Sequence, residues 1–165
     1  LEYREKKSAK FATLELTKKI DNVTDRFRVL VNGKDKAGEF YRKSFAAMFA
    51  YVQNRIPEIS DEIYRIDDGL RAGFGWEHGP FQIWDAIGVA KGVEIMKDEG
   101  KEPATWVTEM LANGETSFYS VKEGATYYYD IPSKSQTKKT GSRIFHYFRQ
   151  HQKIKRSLEK CWCNC

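Results

Sequence analysis

The feature that most constrains this chain is a glycine- and tryptophan-rich segment at its centre, residues 73–88, which reads GFGWEHGPFQIWDAIG. Four of the twelve glycines and two of the four tryptophans of the chain fall in this segment. Glycine can adopt positive φ where a helix stops, and proline fits the first turn of the next helix, where its missing N–H costs nothing. The segment therefore predicts a helix, a tight corner and a second helix, with the aromatic rings holding the corner in a core.

We expect eight residues to build this corner through glycine conformations, a helix-starting proline, buried rings and one buried acid. They are Gly73, Gly75, Trp76, Gly79, Pro80, Phe81, Trp84 and Asp85. Asp85 lies in an apolar stretch, and a buried acid needs a hydrogen-bond partner. We predict that a backbone amide at the corner is that partner, which favours a structural role for Asp85 over that of an active-site acid.

The start of the segment is close to a dinucleotide-binding fingerprint, but its third glycine, Gly79, stands one residue late. That fingerprint also requires a preceding strand. Here Ile63, Ile66 and Leu70 have helical spacing instead, and Ser60 is a suitable N-cap. The sequence therefore favours a structural corner over a nucleotide site.

Hydrophobic periodicity along the chain predicts a mostly α fold, a compact helical bundle with a small C-terminal β-hairpin. Helices are expected over residues 18–31, 37–56, 60–72, 80–87, 89–97 and 105–112, with Asp35 capping the second. Two β-favouring runs, 118–121 and 126–130, predict the hairpin. We expect residues 1–25 to be a linker, 26–132 the helical domain, and 133–165 a linker and basic tail.

The charges and cysteines are unevenly distributed. Residues 142–165 carry six Lys or Arg, one Glu and all three cysteines, whereas the other 141 residues carry 22 basic and 22 acidic side chains. A body without excess positive charge has little attraction to phosphates or anionic lipid. No apolar run approaches the ~20 residues of a membrane span, and the body offers no disulfide framework. We therefore predict a cytoplasmic protein that binds no membrane and whose body binds no nucleic acid.

The basic tail leaves three interpretations open. Its cysteines, Cys161, Cys163 and Cys165, could bind zinc with His146 and His151, although structural zinc sites usually use two-residue spacings. Bases interleaved with aromatics over residues 143–149 are typical of surfaces for single-stranded nucleic acid, which would make the chain a non-enzymatic binding module. We hypothesise instead that the reading frame shifts near residue 142, so that neither feature was selected. Sequencing the coding DNA tests this hypothesis.

Few side chains of the body are suited to catalysis. His78 is its only histidine, and no partner at helical spacing orients it, which favours a corner residue satisfied by local backbone. The acids Asp61, Glu62, Asp67 and Asp68 lie around a helix start, where we expect them to face water and complement the helix dipole. We predict no catalytic, cofactor-binding or metal-binding residue in this chain.

Within residues 66–88 the motifs become specific to a family. Ile66-Asp67, Gly73-Phe-Gly75, Gly79-Pro-Phe81 and Asp85-Ala-Ile-Gly88, in this order and spacing, resemble the C-terminal helical domain of the 3-hydroxyacyl-CoA dehydrogenases. The resemblance spans roughly residues 26–132. It is greatest to the second helical repeat of large β-oxidation proteins that fuse such a dehydrogenase to an enoyl-CoA hydratase.

The resemblance implies that a longer protein oxidises 3-hydroxyacyl-CoA with NAD, using a Rossmann domain and a His–Glu pair that this chain lacks. The family's helical domain also offers an asparagine to the active site. Asn54 stands too close to Asp67 to match it, and Ser44 is nearer the expected position, so that role is not carried over. We therefore expect the chain to be inactive alone, and to serve as scaffold, acyl-CoA-side surface and interdomain or homodimer contact beside the Rossmann and hydratase domains.

Overall fold

The computed structural model describes residues 10–139, which form seven helices followed by a three-stranded sheet. The elements are α1 (Ala12–Thr17), α2 (Val23–Asn32), α3 (Lys36–Gln53), α4 (Ile63–Phe74), α5 (Pro80–Ile87), α6 (Val89–Asp98), α7 (Thr105–Ala112), β1 (Tyr119–Lys122), β2 (Ala125–Asp130) and β3 (Ser135–Lys138). The predicted mostly α fold with a small C-terminal β unit is confirmed. None of the helices within residues 10–139 has the length and apolar character needed to cross a membrane.

Asp35 caps α3 as predicted and also holds α1 in place. Its carboxylate accepts hydrogen bonds from the backbone N–H of Gly38 (3.0 Å) and from the N–H and hydroxyl of Thr13 (3.0 and 2.9 Å). These bonds, those of Thr13 foremost, hold the pKa of Asp35 below its usual value. Because α1 is anchored in this way, residues 12–17 form a packed helix within the stretch that the sequence predicts to be a linker.

Three helix boundaries differ by three or more residues from those predicted. The second helix begins at Val23 rather than residue 18, because the side chain of Asn22 accepts the Thr24 N–H (2.9 Å) and caps it. The long helix α3 ends at Gln53, before the proline that was expected to stop it. Ser60 is not the N-cap of α4; its hydroxyl accepts the Glu62 N–H (3.1 Å) in the turn that precedes the helix.

The core forms where α3, α5, α6 and the sheet meet, around the ring of Trp84. Phe49 of α3 stacks on Trp84 with ring centroids 4.6 Å apart, and Phe118 lies edge-on at 5.2 Å. The indole N–H donates to the Val89 carbonyl (3.1 Å), so the buried ring leaves no polar atom unpaired. Gly92 of α6 provides the space, since a Cβ there would lie 2.1 Å from the indole nitrogen.

The C-terminal sheet is antiparallel with strand order β1-β2-β3, one strand more than the predicted hairpin. Tyr128 pairs with Tyr119 on one side and with Thr137 on the other. The third strand was not predicted because residues 135–138 are all polar, so they show no alternation of apolar and polar side chains. Backbone pairing with β2 orders them. Tyr128 is buried against Tyr64 of α4, with ring centroids 4.8 Å apart, which fixes the sheet to the helices.

Candidate functional site

The central corner has the predicted backbone. Gly75 ends α4 in the left-handed conformation with φ of 67°, and Pro80 is the first residue of α5. A helix, not a strand, therefore leads into the glycines, as the spacing of Ile63, Ile66 and Leu70 predicted. A dinucleotide-binding turn requires the reverse order, a strand that leads into the N-terminus of a helix.

The side chain of Asp67, a residue of α4, binds the N-terminus of α5. Its Oδ1 accepts the Phe81 N–H (2.9 Å), and its Oδ2 accepts the Gln82 N–H (3.1 Å). The hydroxyl of Tyr119 donates to the same Oδ2 (2.9 Å). Free amides at a helix N-terminus are what bind phosphate groups, and here an internal carboxylate has taken two of them.

The expectation that Asp67 faces water is therefore wrong, since only 1% of it is exposed. A signal for its burial was present in the sequence. Asp67 follows Ile63 by four residues, which places the two on the same face of α4. The neighbouring Asp68 is also largely buried, where it accepts hydrogen bonds from Lys139 (2.9 and 3.0 Å).

Asp85 accepts backbone amides, as predicted, but they come from the sheet and not from the corner. Its two oxygens accept the N–H groups of Phe118 (2.7 Å) and Tyr119 (2.8 Å), more than thirty residues further along the chain. Tyr119 therefore donates through its backbone to Asp85 and through its hydroxyl to Asp67. We call Asp67, Asp85 and Tyr119 the acid joint, because they connect α4, α5 and β1.

The acid joint is electrostatically unusual. Burial raises the pKa of Asp67 to about 7, against the effect of its hydrogen bonds, and burial likewise raises the pKa of Asp85 to about 7. Burial and the nearby Asp67 raise the pKa of the Tyr119 hydroxyl well above its usual value. Such shifts often mark functional sites. Here every carboxylate oxygen is bonded within the protein, so the arrangement fits a structural connection better than proton transfer to a substrate.

The first half of the central segment lies outside the core, contrary to prediction. Phe74 is 72% exposed and Trp76 is 42% exposed, and their rings contact each other at 6.3 Å between centroids. A Cβ on Gly73 or Gly75 would meet nothing within 4 Å. The core instead holds Gly79, Pro80, Phe81 and Trp84. The exposed rings are explained by the left-handed stop at Gly75, which turns the chain away before the buried half begins.

Neither side chain considered for catalysis has catalytic surroundings. The ring of His78 lies edge-on to Phe27 (6.0 Å), burial lowers its pKa, and its buried Nδ1 has no hydrogen-bond partner among residues 10–139. The predicted bond from local backbone is thus absent at that atom. Asn54 is exposed and donates to the Ala50 carbonyl (2.9 Å) at the end of α3. Ser44 lies on α3, ten residues before Asn54.

No group of three or more His, Cys, Asp or Glu side chains in the described part of the chain could hold a metal ion. The zinc, nucleic-acid and reading-frame hypotheses concern residues 142–165, which lie outside the described residues.

Comparison with known proteins gives a consistent result. The chain is 33% identical over 144 residues to a protein of Bacillus subtilis that is named as a 3-hydroxyacyl-CoA dehydrogenase; the match covers 87% of this chain and 18% of that protein. It is 25% identical over 65 residues to a Rickettsia prowazekii protein named as the trifunctional enzyme of a fatty acid oxidation complex, covering 39% of this chain and 9% of that protein.

A Rickettsia felis protein of the same name is 28% identical over 46 residues, which is 28% of this chain and 6% of that protein. The chain thus spans less than a fifth of the length of the relatives that it matches. No family model and no solved structure matches it.

Proposed function

This chain belongs to the 3-hydroxyacyl-CoA dehydrogenase family, and we propose that it is a helical scaffold within a longer enzyme of fatty-acid β-oxidation. In that enzyme, NAD would be held by parts of the polypeptide other than the residues of this chain and would supply the hydride acceptor for oxidation of a 3-hydroxyacyl-CoA. The present chain forms the scaffold on the side of the enzyme that faces the acyl-CoA. It also offers a surface for contact between domains or between two copies of the enzyme. The cytoplasmic location and the domain limits at residues 26 and 132 remain predictions.

The observation that carries this proposal is the extent of the match to the Bacillus subtilis protein, 87% of this chain. The geometry supports the scaffold role in particular. The amides that could have bound a phosphate at α5 are taken by Asp67, and the oxygens of Asp85 are taken by the sheet. The polar groups of the acid joint thus hold the fold together and leave none directed at a ligand.

The exposed rings of Phe74 and Trp76 are the apolar surface that the corner offers to the rest of the enzyme. Side chains of this size are usually covered when they lie side by side on a protein surface. We assign them to the side of the enzyme that faces the acyl-CoA, where an acyl chain or a neighbouring domain covers them.

A domain exchange tests the proposal. In the Bacillus subtilis relative, the segment that matches this chain is replaced by the corresponding residues of this chain, and NADH formation from 3-hydroxybutyryl-CoA and from a long-chain 3-hydroxyacyl-CoA is measured. The exchanged protein should retain most of the activity. The same exchange carrying Gly79→Val should lose it, because a Cβ at residue 79 would lie 2.4 Å from the Asp67 side chain and disturb the corner.

Gly73→Val in the same exchanged protein is the matched control, because a Cβ there meets no atom within 4 Å beyond its own helix backbone and chain neighbours. An exchanged protein that folds, as judged by circular dichroism, but forms no NADH would contradict the proposal. Full activity in a relative from which the whole segment has been deleted would contradict it equally. The exchanged protein that carries Trp76→Ala tests the assignment of the two rings to the acyl-CoA side. A KM raised for the long-chain substrate alone would support that assignment, and an unchanged KM would contradict it.

A further inference from the structure

A groove with a volume of about 680 Å³ lies between helices α1 and α2, and we call it the α1–α2 groove. Its walls are largely apolar. Ala12 and Leu16 stand four residues apart on α1 and so share one face of that helix, and Val29 lines the groove from α2. Leu16 is 56% exposed, so much of this wall is uncovered within residues 10–139. Concave sites of roughly 300–1,000 Å³ with apolar walls are typical of those that bind small molecules.

Two cationic residues line the groove where it opens to solvent. Arg28 donates through Nε to the Ala86 carbonyl (2.8 Å) and pairs with Asp25 (3.3 Å), which holds its guanidinium in place. The side chain is 56% exposed, so its remaining N–H groups can meet an anion from solvent. Lys34 is also exposed, and it forms no ion pair with any residue between 10 and 139. An anion that enters the groove therefore meets positive charge at its opening.

The acid that lines the groove is already engaged. The Oδ1 of Asp35 accepts the Gly38 N–H (3.0 Å) and the Thr13 hydroxyl (2.9 Å), and its Oδ2 accepts the Thr13 N–H (3.0 Å). These bonds tie its negative charge to the start of α3 and to α1. The cations at the opening are therefore the charged groups of the groove that can bind a ligand.

The distribution of charge along the chain also favours an anionic occupant. Residues 10–36, which include both helices of the groove, contain seven Lys or Arg and four Asp or Glu, whereas residues 37–139 contain twelve and sixteen. The segments outside the described residues, 1–9 and 140–165, both carry a net positive charge. Charge therefore favours neither segment as the occupant, and it favours an anion from outside the chain.

The short apolar wall favours a small molecule over a helix of a partner protein. From Ala12 to Leu16 the wall is about 6 Å long, at a rise of about 1.5 Å per residue. A helix bound in a groove uses anchors from i to i+7, which span about 10 Å. An alkyl chain needs no such spacing, because it can lie along any continuous apolar surface.

We propose that the α1–α2 groove binds an acyl-CoA away from the catalytic centre, with the acyl chain against Leu16 and Val29 and the phosphates at Arg28 and Lys34. The proposal rests on the function in fatty-acid oxidation proposed above, and it gives the enzyme a second place for its class of substrate. A CoA thioester has both properties that the groove requires, since its acyl chain is apolar and its CoA part carries phosphate groups, which Arg and Lys bind well. The groove would keep an acyl-CoA on the enzyme while it is not at the catalytic centre.

Isothermal titration calorimetry of the full chain with dodecanoyl-CoA, below the concentration at which this ester forms micelles, tests the proposal. CoA alone and dodecanoate alone are the comparison ligands. Dodecanoyl-CoA should bind about tenfold more tightly than either, because it alone contacts both the apolar wall and the cations. Equally tight binding of dodecanoate would contradict the role of the phosphates, and equally tight binding of CoA would contradict the role of the acyl chain.

Four variants of the full chain locate the binding. Leu16→Glu should weaken it about tenfold, because the change removes part of the apolar wall and repels the anion. Lys34→Glu should weaken it about fivefold at low ionic strength. Val121→Glu and Lys97→Glu make the same changes of charge at exposed residues outside the groove, and they should leave binding unchanged. Circular dichroism checks that each variant folds, and the exposed, unpaired Lys34 keeps the test valid should Leu16→Glu unfold.

Two results would overturn the proposal. The first is a wild-type chain that does not bind dodecanoyl-CoA. The second is equal weakening by the groove variants and their controls, which would assign the binding to overall charge or to the basic residues 142–165. Neither result would affect the domain exchange, because that experiment measures NADH formation at the catalytic centre. The two proposals therefore fail separately.

Discussion

The two halves of the central segment have similar compositions and opposite surroundings. Residues 73–77 contain two glycines and two aromatic rings, and all of them are exposed. Residues 79–84 contain a glycine and two aromatic rings as well, yet Gly79, Phe81 and Trp84 are buried. The first half ends a helix at the exposed surface of the protein, whereas the second half begins a helix inside the core.

The difference arises from partners that lie far away in the chain. Below Gly79 lies Asp67, so close that no Cβ fits between them, and Trp84 is covered by Phe49 and Phe118. No such partner lies over Gly73 or Gly75 within the part of the chain that the structure describes. In the exposed half, Gly75 is needed for its left-handed backbone, whereas in the buried half Gly79 is needed for the space that it leaves.

The largest contrast is expected between the two tryptophans. Trp84→Ala should lower the free energy of unfolding by about 3–5 kcal/mol, because it removes the ring at the centre of the core and leaves a cavity. Trp76→Ala should lower it by less than about 1 kcal/mol, because much of its ring already faces water. Urea unfolding at low protein concentration measures both. Equal losses for the two variants would show that the halves are not distinguished by burial.

The glycines should differ in sign as well as in size. Gly79→Ala should cost about 3 kcal/mol, because the new Cβ would lie 2.4 Å from the Cβ and Cγ of Asp67 and 2.5 Å from its Cα, and the backbone cannot move freely there. Gly73→Ala should stabilise the protein by about 0.5–1 kcal/mol, because Gly73 lies within α4, where alanine is the better helix former. The same unfolding series measures both. If Gly73→Ala lowered the free energy of unfolding as much as Gly79→Ala, this would contradict the inference that a Cβ fits at residue 73 and not at residue 79.

The sequence predicted the local features of the corner and missed its long-range ones. The stop at Gly75, the start at Pro80 and the burial of Trp84 follow from residues that are adjacent in the chain. The exposure of Trp76 could not be read in the same way, because a ring between glycines is compatible with either side of the corner. Which side it occupies depends on where α3 and the sheet pack.

The acid joint shows the same limit. Asp85 was expected to bind a backbone amide, and it does, but the pattern around it could not identify amides more than thirty residues away. Asp67 was expected in water because it lies near a helix start, although its spacing from Ile63 places it on the buried face of α4. Tyr119 gave no signal at all, since a tyrosine at the start of a strand is ordinary.

The buried half should also respond to pH. The pKa of Asp85 is about 7 in the folded protein and near 3.8 in the unfolded chain, so between these values the folded state holds more protons. Its stability should therefore fall as pH rises, by about 2 kcal/mol between pH 5 and pH 7.5. Asp85→Asn should make this slope shallower, whatever its effect on overall stability, and should leave the part that comes from Asp67, whose pKa burial also raises to about 7. Asp61→Asn, at an exposed acid, should not change the slope, and an unchanged slope in the Asp85 variant would contradict the assignment of this pH dependence to the Asp85 carboxyl.

The smallest effect is expected at the link between the two carboxylates. Tyr119→Phe removes the hydroxyl that donates to Asp67 (2.9 Å) and keeps the ring. That hydrogen bond favours the ionised form of Asp67, since it lowers the pKa that burial raises. The variant should therefore lose about 1 kcal/mol at pH 7.5 and less at pH 5, where the carboxyl holds its proton. Tyr51→Phe, whose ring is exposed on α3, provides the reference in the same urea unfolding series at both pH values. If Tyr119→Phe lowers the free energy of unfolding equally at the two pH values, the hydroxyl does not favour the ionised form of Asp67. The two acids would then not be linked through Tyr119.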